Sequence, residues 1–493
     1  MTPTAILLLW AAFISPVTLK AESEADLDRL ISENNTSLTS EKTGDTDLLK
    51  KFKIFGFVET SNHFSIPATG SINDYKIIKA EARGQLDLQY RTGSFFTRAT
   101  LDAYFYPETT GSDDNSNSSG VYHQVGRLEA REVYAGFGKN LQFKIGKQLF
   151  TWGSADAFNV TNYLDQPDLR ELFLRDRDDK NRGVLALSIK YLIGDYALEA
   201  AFLPIHSPAQ APLGFWELSP SAPAFNVEIN HPSSAAASLK NSAASVRFGG
   251  TAGFIDFHAS YFTGYNHDLM YESAISGTSF SERLIELTPY FDRRHTFGID
   301  LAGSLNSFSF RGEVAFSLNM PALYKQDETT LAQIYQYWEL APNQSKDIDT
   351  IMTELAGGGA VFPSGPEKEK HISYVVGADY NFRGSNGLIL IEWIQGYYLD
   401  HGNRYDSPLF DSILLVRIED KFFNEQFSAE AGTMIRPIQK KPGASAFCEA
   451  GWDFKNGFTL NLGGYIFFGN GDELFESLKD KDMLYFKARY LIN

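Results

Sequence analysis

The sequence has 493 residues, 43% of them hydrophobic and 14% aromatic, and its 61 acidic and 44 basic side chains give a formal net charge of −17. This acidic balance excludes a general nucleic-acid binder, because neutralising phosphates requires a basic stripe. A single cysteine, Cys448, excludes an intramolecular disulfide framework. The apolar residues are too dispersed for a bundle of membrane helices.

The chain begins with a segment typical of a secretory signal peptide. Its one long apolar run, Ala5–Val17, has about 13 residues, too few to span a bilayer as a helix. The small residue Ala21 offers a cleavage point, so we predict a signal peptide at residues 1–21. Residues 22–51 are polar and acidic, and we interpret them as a flexible periplasmic segment, with a folded plug as the alternative.

From Phe52 onward, polar and apolar side chains alternate with a period of two. Between Lys79 and Tyr90 one face carries alanine, leucine and tyrosine, and the other carries charged and amide side chains. Strands in lipid must pair all their backbone groups, so spanning strands close into a barrel with an apolar outside. We therefore predict an all-β fold, a transmembrane antiparallel β-barrel at residues 52–493.

The connections between the predicted strands alternate between tight and long, which predicts about 18 strands. One tight turn is expected at Gly249–Thr251. Sixteen strands are the alternative, because residues 387–421 are more uniformly apolar and their boundaries are soft. The alternation places both termini on the short-turn side, which we expect to be periplasmic. The predicted location is the outer membrane of a Gram-negative bacterium, in contact with lipid and lipopolysaccharide.

Charged side chains on neighbouring strands are candidates for the wall of a polar lumen. If they point inward, they place both signs of charge along a confined aqueous path, where they could orient a polar solute. Mutual pairing that only holds the barrel's shape is the alternative. These candidates for the lumen or its constriction are Lys79, Glu81, Arg83, Asp87, Arg98, Asp102, Glu129, Arg131 and Lys144. Reversing the charge of Arg83, Arg98 or Arg131 is then expected to shift ion selectivity or the rate of passage.

The connection at residues 151–181 is densely charged and allows two interpretations. A run of this kind is usually a solvated surface. The functional alternative is a loop that folds into the lumen, where its aspartates and arginines would pair with charges on the wall and narrow the channel.

Residues 127–204 resemble a family of bacterial outer-membrane proteins of unknown function. The family is porin-like and often associated with RND-type efflux or with the handling of hydrophobic compounds. The resemblance is carried by the charged strand Arg127–Tyr134, by Phe202–Pro204, and by Gly146, Lys147, Gln148, Trp152, Gly153, Asp156, Asn159, Asp168 and Arg170. It implies a barrel that handles hydrophobic or amphipathic small molecules, with periplasmic efflux components as partners.

Two functions follow as hypotheses. The first is a channel or transport barrel that passes small molecules through a charged lumen. The second is a non-conducting scaffold barrel that binds a periplasmic efflux or assembly partner. We expect no enzymatic activity, no cofactor and no metal site, because the nine histidines are scattered and no catalytic motif occurs. His258 and Ser260 share one strand face, but such a pair arises easily by chance.

Overall fold

The computed structural model describes most of the chain from Lys51 onward. The described residues are 51–66, 77–106, 126–171, 179–210, 226–230, 239–267, 270–276, 284–322, 335–357, 367–400, 412–437, 443–469, 473–476 and 478–492. The predicted signal peptide and, apart from Lys51, the polar segment 22–51 lie outside these ranges.

In the described ranges we number 23 β-strands in chain order. They are β1 (Phe52–Ser65), β2 (Ile77–Thr92), β3 (Phe95–Phe105), β4 (Gly126–Gly138), β5 (Leu141–Gln148), β6 (Gln166–Pro167), β7 (Asn181–Arg182), β8 (Val184–Ile193), β9 (Tyr196–Leu203), β10 (Asn226–Ile229), β11 (Ala243–Ala252), β12 (Ile255–Tyr265), β13 (Tyr271–Ser276), β14 (Leu284–Pro289), β15 (Arg293–Leu305), β16 (Phe308–Ala322), β17 (Glu367–Asn381), β18 (Leu388–Tyr398), β19 (Ile413–Phe422), β20 (Phe427–Arg436), β21 (Gly443–Asp453), β22 (Phe458–Phe468) and β23 (Met483–Ile492).

Eighteen of these strands form one closed antiparallel barrel. All the strands except β6, β7, β10, β13 and β14 belong to it, and each pairs with its neighbours in chain order. Closure comes from the pairing of β1 with β23, in which Gly56 lies opposite Ile492 and Ser65 opposite Met483. The predicted all-β barrel and its count of 18 strands are confirmed. The alternative count of 16 is wrong, because the soft region 387–421 contains two complete strands, β18 and β19.

The two faces of the barrel have opposite chemistry. Large apolar side chains point outward and stay exposed, such as Leu128 at 75%, Ile145 at 63% and Ile299 at 60%. Charged side chains on the barrel strands point inward and are buried, such as Arg83 at 5% and Asp102 at 2%. This inverts the pattern of a water-soluble protein and matches a wall that meets lipid on its outside.

Tight turns join alternate pairs of barrel strands, and backbone with positive φ shapes them. Gly93 and Gly194 adopt φ values of 57° and 60° in two-residue turns, a conformation that favours glycine. The turn predicted at Gly249–Thr251 is wrong, since β11 runs through these residues and the chain turns at Gly253, whose φ is 68°. Both Phe52 and Ile492 lie at the end of the barrel that carries the tight turns.

The remaining elements lie in the long connections. Strand β10 pairs in parallel with β14, which pairs with β13, forming a small sheet of three strands. The other described elements are helices α1 (Ile348–Gly357) and α2 (Glu473–Glu476), a helical stretch at residues 335–339, and two 3-10 turns, Leu239–Asn241 and Ala341–Asn343. None of the helices in the described ranges is long and apolar enough to cross a membrane.

Candidate functional site

The segment after β5, residues 149–171, which we call the inner loop, lies inside the barrel. Trp152, Thr161, Leu164 and Asp165 on this loop are all at most 2% exposed. The loop leaves the wall at β5 and contacts residues on β16 and β18, and β18 lies eight strands further round the barrel. A loop with these contacts crosses the interior. The described residues of the loop are therefore folded into the lumen and do not form a solvated surface.

Two buried glutamates of the wall hold the tip of the inner loop. Glu313 on β16 accepts hydrogen bonds from the backbone amides of Ser154 at 2.6 Å, Ala155 at 2.7 Å and Thr161 at 3.0 Å. Glu392 on β18 accepts three more, from residues 156 at 2.8 Å, 157 at 2.9 Å and 158 at 3.0 Å. Backbone amides that would otherwise be unsatisfied inside the barrel thus have charged acceptors.

Ion pairs also hold the loop tip, because the side chain of Asp156 lies between two arginines of the wall. One carboxylate oxygen lies 2.8 Å from Nη1 of Arg311, and the other lies 3.5 Å from Nη2 of Arg417. Arg311 also pairs with Asp379 on β17. The wall thus holds the loop tip through ion pairs as well as through hydrogen bonds to its backbone amides.

On the opposite side, the inner faces of β2, β3 and β4, which we call the charged wall, carry a network of ion pairs. Arg83 donates to Asp102 at 2.8 Å and also pairs with Asp179, which lies just before β7. Asp179 also pairs with Arg131. A small cleft borders this network and is lined by Asp102, Tyr104, Arg131, Asp168, Asp179, Asn181 and Arg182.

Other predicted lumen residues also point inward and have partners. Lys79 lies 2.9 Å from Glu171 of the inner loop and 3.5 Å from Glu81. Arg98 lies 2.7 Å from Asp87 and 3.3 Å from Glu132. Lys144, further along on β5, lies 5.0 Å from the ring centre of Tyr134.

Glu129 links the charged wall to the second half of the inner loop. It lies 3.2 Å from Arg170 and also pairs with Arg182. Both arginines also contact the carboxylate of Asp168, which is 1% exposed. The loop is therefore held at its far end by a closed set of two arginines and two carboxylates.

The remaining motif residues shape the entry of the loop into the barrel. Gly153 has a φ of 106°, and a Cβ atom there would lie 2.6 Å from Glu313 Oε1, so only glycine fits beside that carboxylate. Gly146 has a φ of 132° where β5 passes close to β4. Trp152 packs edge-on against Phe150 and Tyr163.

Polar motif residues make local contacts with the backbone. Lys147 donates to the Ala130 carbonyl at 2.7 Å, and Gln148 donates to the Ala186 carbonyl at 2.8 Å. Asn159 bridges back to the Trp152 carbonyl at 3.4 Å. These residues support the fold of the loop and its neighbouring strands.

Sequence reasoning missed an apolar cluster in the interior. A cluster of buried side chains on β17 to β23, which we call the apolar wall, faces inward and packs against Phe158 and Val160 of the inner loop. Its barrel members are Val375, Leu390, Ile394, Ile413, Leu415, Met434, Phe467 and Met483. Phe475 and Leu478, both 0% exposed, cover it from the segment between β22 and β23. The uniformly apolar run 388–391 could have revealed the apolar wall in the sequence, because both faces of the strand are apolar there.

The residues considered for catalysis and metal binding have other partners. Nδ1 of His258 lies 2.9 Å from Asp300, whereas the Ser260 hydroxyl contacts the Tyr163 hydroxyl. Within the described ranges, no group of three or more His, Cys, Asp or Glu side chains is arranged to hold a metal ion.

Comparisons with known proteins give only distant similarity. OccAB3 of Acinetobacter baumannii is 10% identical with a TM-score of 0.48, and the alignment covers 90% of this chain and 99% of that one. OccK9 (OpdG) of Pseudomonas aeruginosa is 9% identical with a TM-score of 0.48, over 90% and 99% of the two chains. Salmonella typhi OmpF, solved in complex with daunomycin, is 8% identical with a TM-score of 0.42, over 90% and 97%. No protein-family model and no curated protein match the chain.

Similarity this low carries no argument, but the barrel's own features define its class. It has 18 closed antiparallel strands, an exposed apolar exterior and a charged interior. An even number of spanning strands with tight turns at one end and long loops at the other is the architecture of a porin-like outer-membrane β-barrel.

Proposed function

We propose that this protein is an outer-membrane channel for small molecules, narrowed by its inner loop. The observation that carries the proposal is the position of this loop between two walls of different chemistry. The charged wall contacts its second half through Glu129 and Lys79, and the apolar wall contacts Phe158 at its tip. Fixed charges in a narrow water-filled path act more strongly on a solute than the same charges in bulk water.

The division of the interior supports amphipathic solutes as the substrate class. A molecule with a charged group and an apolar part would find partners for both along the path through the barrel. The charged wall offers groups that are already paired, such as Arg98, whose side chain is still 30% exposed. The apolar wall offers aliphatic and aromatic side chains that Phe475, Leu478 and the tip of the inner loop cover, so an apolar solute reaches them only by displacing this cover. The resemblance to proteins that handle hydrophobic compounds points to the same class.

The same proposal sets the orientation of the barrel. We assign the end with tight turns, where Phe52 and Ile492 lie, to the periplasm, because porin-like barrels carry their short turns there. Residues 1–21 then act as the export signal, and the long loops face the lipopolysaccharide surface.

Planar-bilayer recordings of the purified full-length protein test the channel. We expect stable conductance steps in potassium chloride, and stronger block by octanoate than by acetate, since the two carry the same charge and differ in their apolar part. Equal block would exclude the amphipathic substrate class. Persistent silence, together with uptake of both anions no faster into proteoliposomes than into protein-free vesicles, would overturn the channel and favour the scaffold barrel that binds a periplasmic partner.

A further inference from the structure

We propose that Glu313 and Glu392 are positioning residues that hold the tip of the inner loop, residues 154–161, across the lumen. The inference rests on the proposed channel, because it names what fixes the width of that channel. It is independent of the ion pairs of the charged wall, which hold the second half of the loop near Arg170.

The two glutamates together accept seven hydrogen bonds from the loop tip. Glu313 takes four, from the amides of Ser154, Ala155 and Thr161 and from the Thr161 hydroxyl at 3.0 Å. Glu392 takes the amides of residues 156, 157 and 158. Both side chains are at most 1% exposed. Hydrogen bonds to a buried charged acceptor are stronger than those between neutral groups, and a freed loop amide would otherwise stay unsatisfied.

The chain leaves room for this contact on both sides. Gly153 presents no Cβ toward Glu313, and a Cβ on Gly377, in the strand between the two glutamates, would lie 3.0 Å from Cγ of Arg311. Gly377 lies directly opposite Glu392 on β18 and opposite Arg311 on β16. Glycine at position 153 lets the loop tip approach Glu313 closely, and glycine at position 377 leaves room for Arg311, which pairs with Asp156.

Holding the loop tip also fixes a charge in the lumen. The amide of Asp156 is bonded to Glu392, while its carboxylate lies 2.8 Å from Arg311 and 3.5 Å from Arg417. If the backbone were released, this carboxylate would no longer be confined between the two arginines. The glutamates therefore set both the width of the passage and the location of its charge.

Amide hydrogen exchange of the reconstituted full-length protein, read by mass spectrometry on peptides covering 150–163, tests the inference. Replacement by glutamine keeps the shape but removes half of the acceptor atoms and turns N–H groups toward the loop amides. We expect exchange of residues 154–158 to accelerate about tenfold or more in Glu313→Gln and in Glu392→Gln, given the strength of charge-assisted hydrogen bonds. Single-channel conductance should rise or become noisier in the same variants.

Glu419→Gln is the matched control. Glu419 faces the same lumen and lies 3.7 Å from Arg417, and the inner loop makes no described hydrogen bond to it. The variant therefore loses the same charge without losing a described contact with the loop. Its exchange should match that of the wild type within about twofold. Equal acceleration in all three variants, or no acceleration in any, would overturn the inference.

A variant on the loop side keeps the test valid if the glutamine variants fold poorly. Thr161→Val leaves both glutamates in place and removes only the hydroxyl that bonds Glu313 at 3.0 Å. We expect a severalfold acceleration of exchange near residue 161, and an unchanged rate would count against the role of Glu313. If exchange accelerates in the glutamate variants but the protein never conducts, the channel is refuted and the positioning role stays intact. If the protein conducts but exchange is unchanged in these variants, the positioning role alone is refuted.

Discussion

Replacing Arg83 by methionine should destabilise the barrel strongly. The guanidinium is 5% exposed, donates to Asp102 from Nε at 3.1 Å and from Nη2 at 2.8 Å, and also pairs with Asp179. Removing it leaves two carboxylates with Gln85 and Arg131 as their remaining described partners. Breaking a buried ion pair on one side costs about 3–5 kcal/mol, because the orphaned charge stays buried.

The double variant Arg83→Met with Asp102→Asn should recover part of this loss. It removes the charge of Asp102, which would otherwise stay buried without its arginine, so we expect a coupling energy of about 1–3 kcal/mol. Equilibrium unfolding in urea, followed by tryptophan fluorescence in lipid vesicles, measures both values. Arg91→Met is the control, since Arg91 is exposed at a turn and contacts only the ring of Phe96 in the described structure, at 5.8 Å. A loss below about 1 kcal/mol in Arg83→Met, or no coupling, would refute the account of the network.

Three further predictions concern the lumen, the lipid face and the outer rim. Arg98→Glu should shift the reversal potential toward cations, because its side chain is 30% exposed while that of Arg83 is 5% exposed; an unchanged potential in a salt gradient would remove Arg98 from the pathway. Ile299→Arg should cost about 2–4 kcal/mol in vesicle unfolding, since this side chain is 60% exposed on the middle of a spanning strand, whereas Ile299→Leu should cost almost nothing. Burial, followed by the nearby His267, lowers the pKa of His206 from 6.5 to about 3. The unfolded chain therefore binds a proton that the folded rim excludes, so this group's contribution to stability should fall as the pH drops from about 6.5 towards 3 and level off below that value. The melting temperature of His206→Gln should fall less than that of the wild type over this range, and equal falls would refute the prediction.

Strand parity explains where sequence reasoning on the charged wall worked and where it stopped. Simple alternation correctly predicted that Lys79, Glu81 and Arg83 on β2 face inward. Strand β3 pairs with β4, and the register of this pairing shifts between Thr100 and Leu101. The shift changes which residues of β4 face inward. Glu132 therefore faces inward at 6% exposure, and its neighbour Val133 faces outward at 40%. A bulge of this kind depends on the pairing of two strands, which a single strand's pattern does not record.

The apolar wall shows a related limit. Alternation identifies a barrel strand only when its two faces differ, so the run at 388–391 appeared as an uncertain boundary. In the folded protein Leu390 faces the lumen at 1% exposure, and Ile391 faces outward at 47%. Both faces are apolar because the inner one packs against the inner loop and the segment that carries Phe475.

The sequence by itself determined the barrel, its 18 strands and the end at which its turns are tight. These depend on side-chain alternation and turn chemistry, which are local properties of the chain. Only the tertiary structure decided that the inner loop enters the lumen, since a densely charged loop can be either solvated or paired. The decision depends on Glu313 and Glu392, which lie about 150 to 240 residues away from the amides they bind. Contacts between residues so distant in the chain form only when the barrel closes and brings opposite walls together.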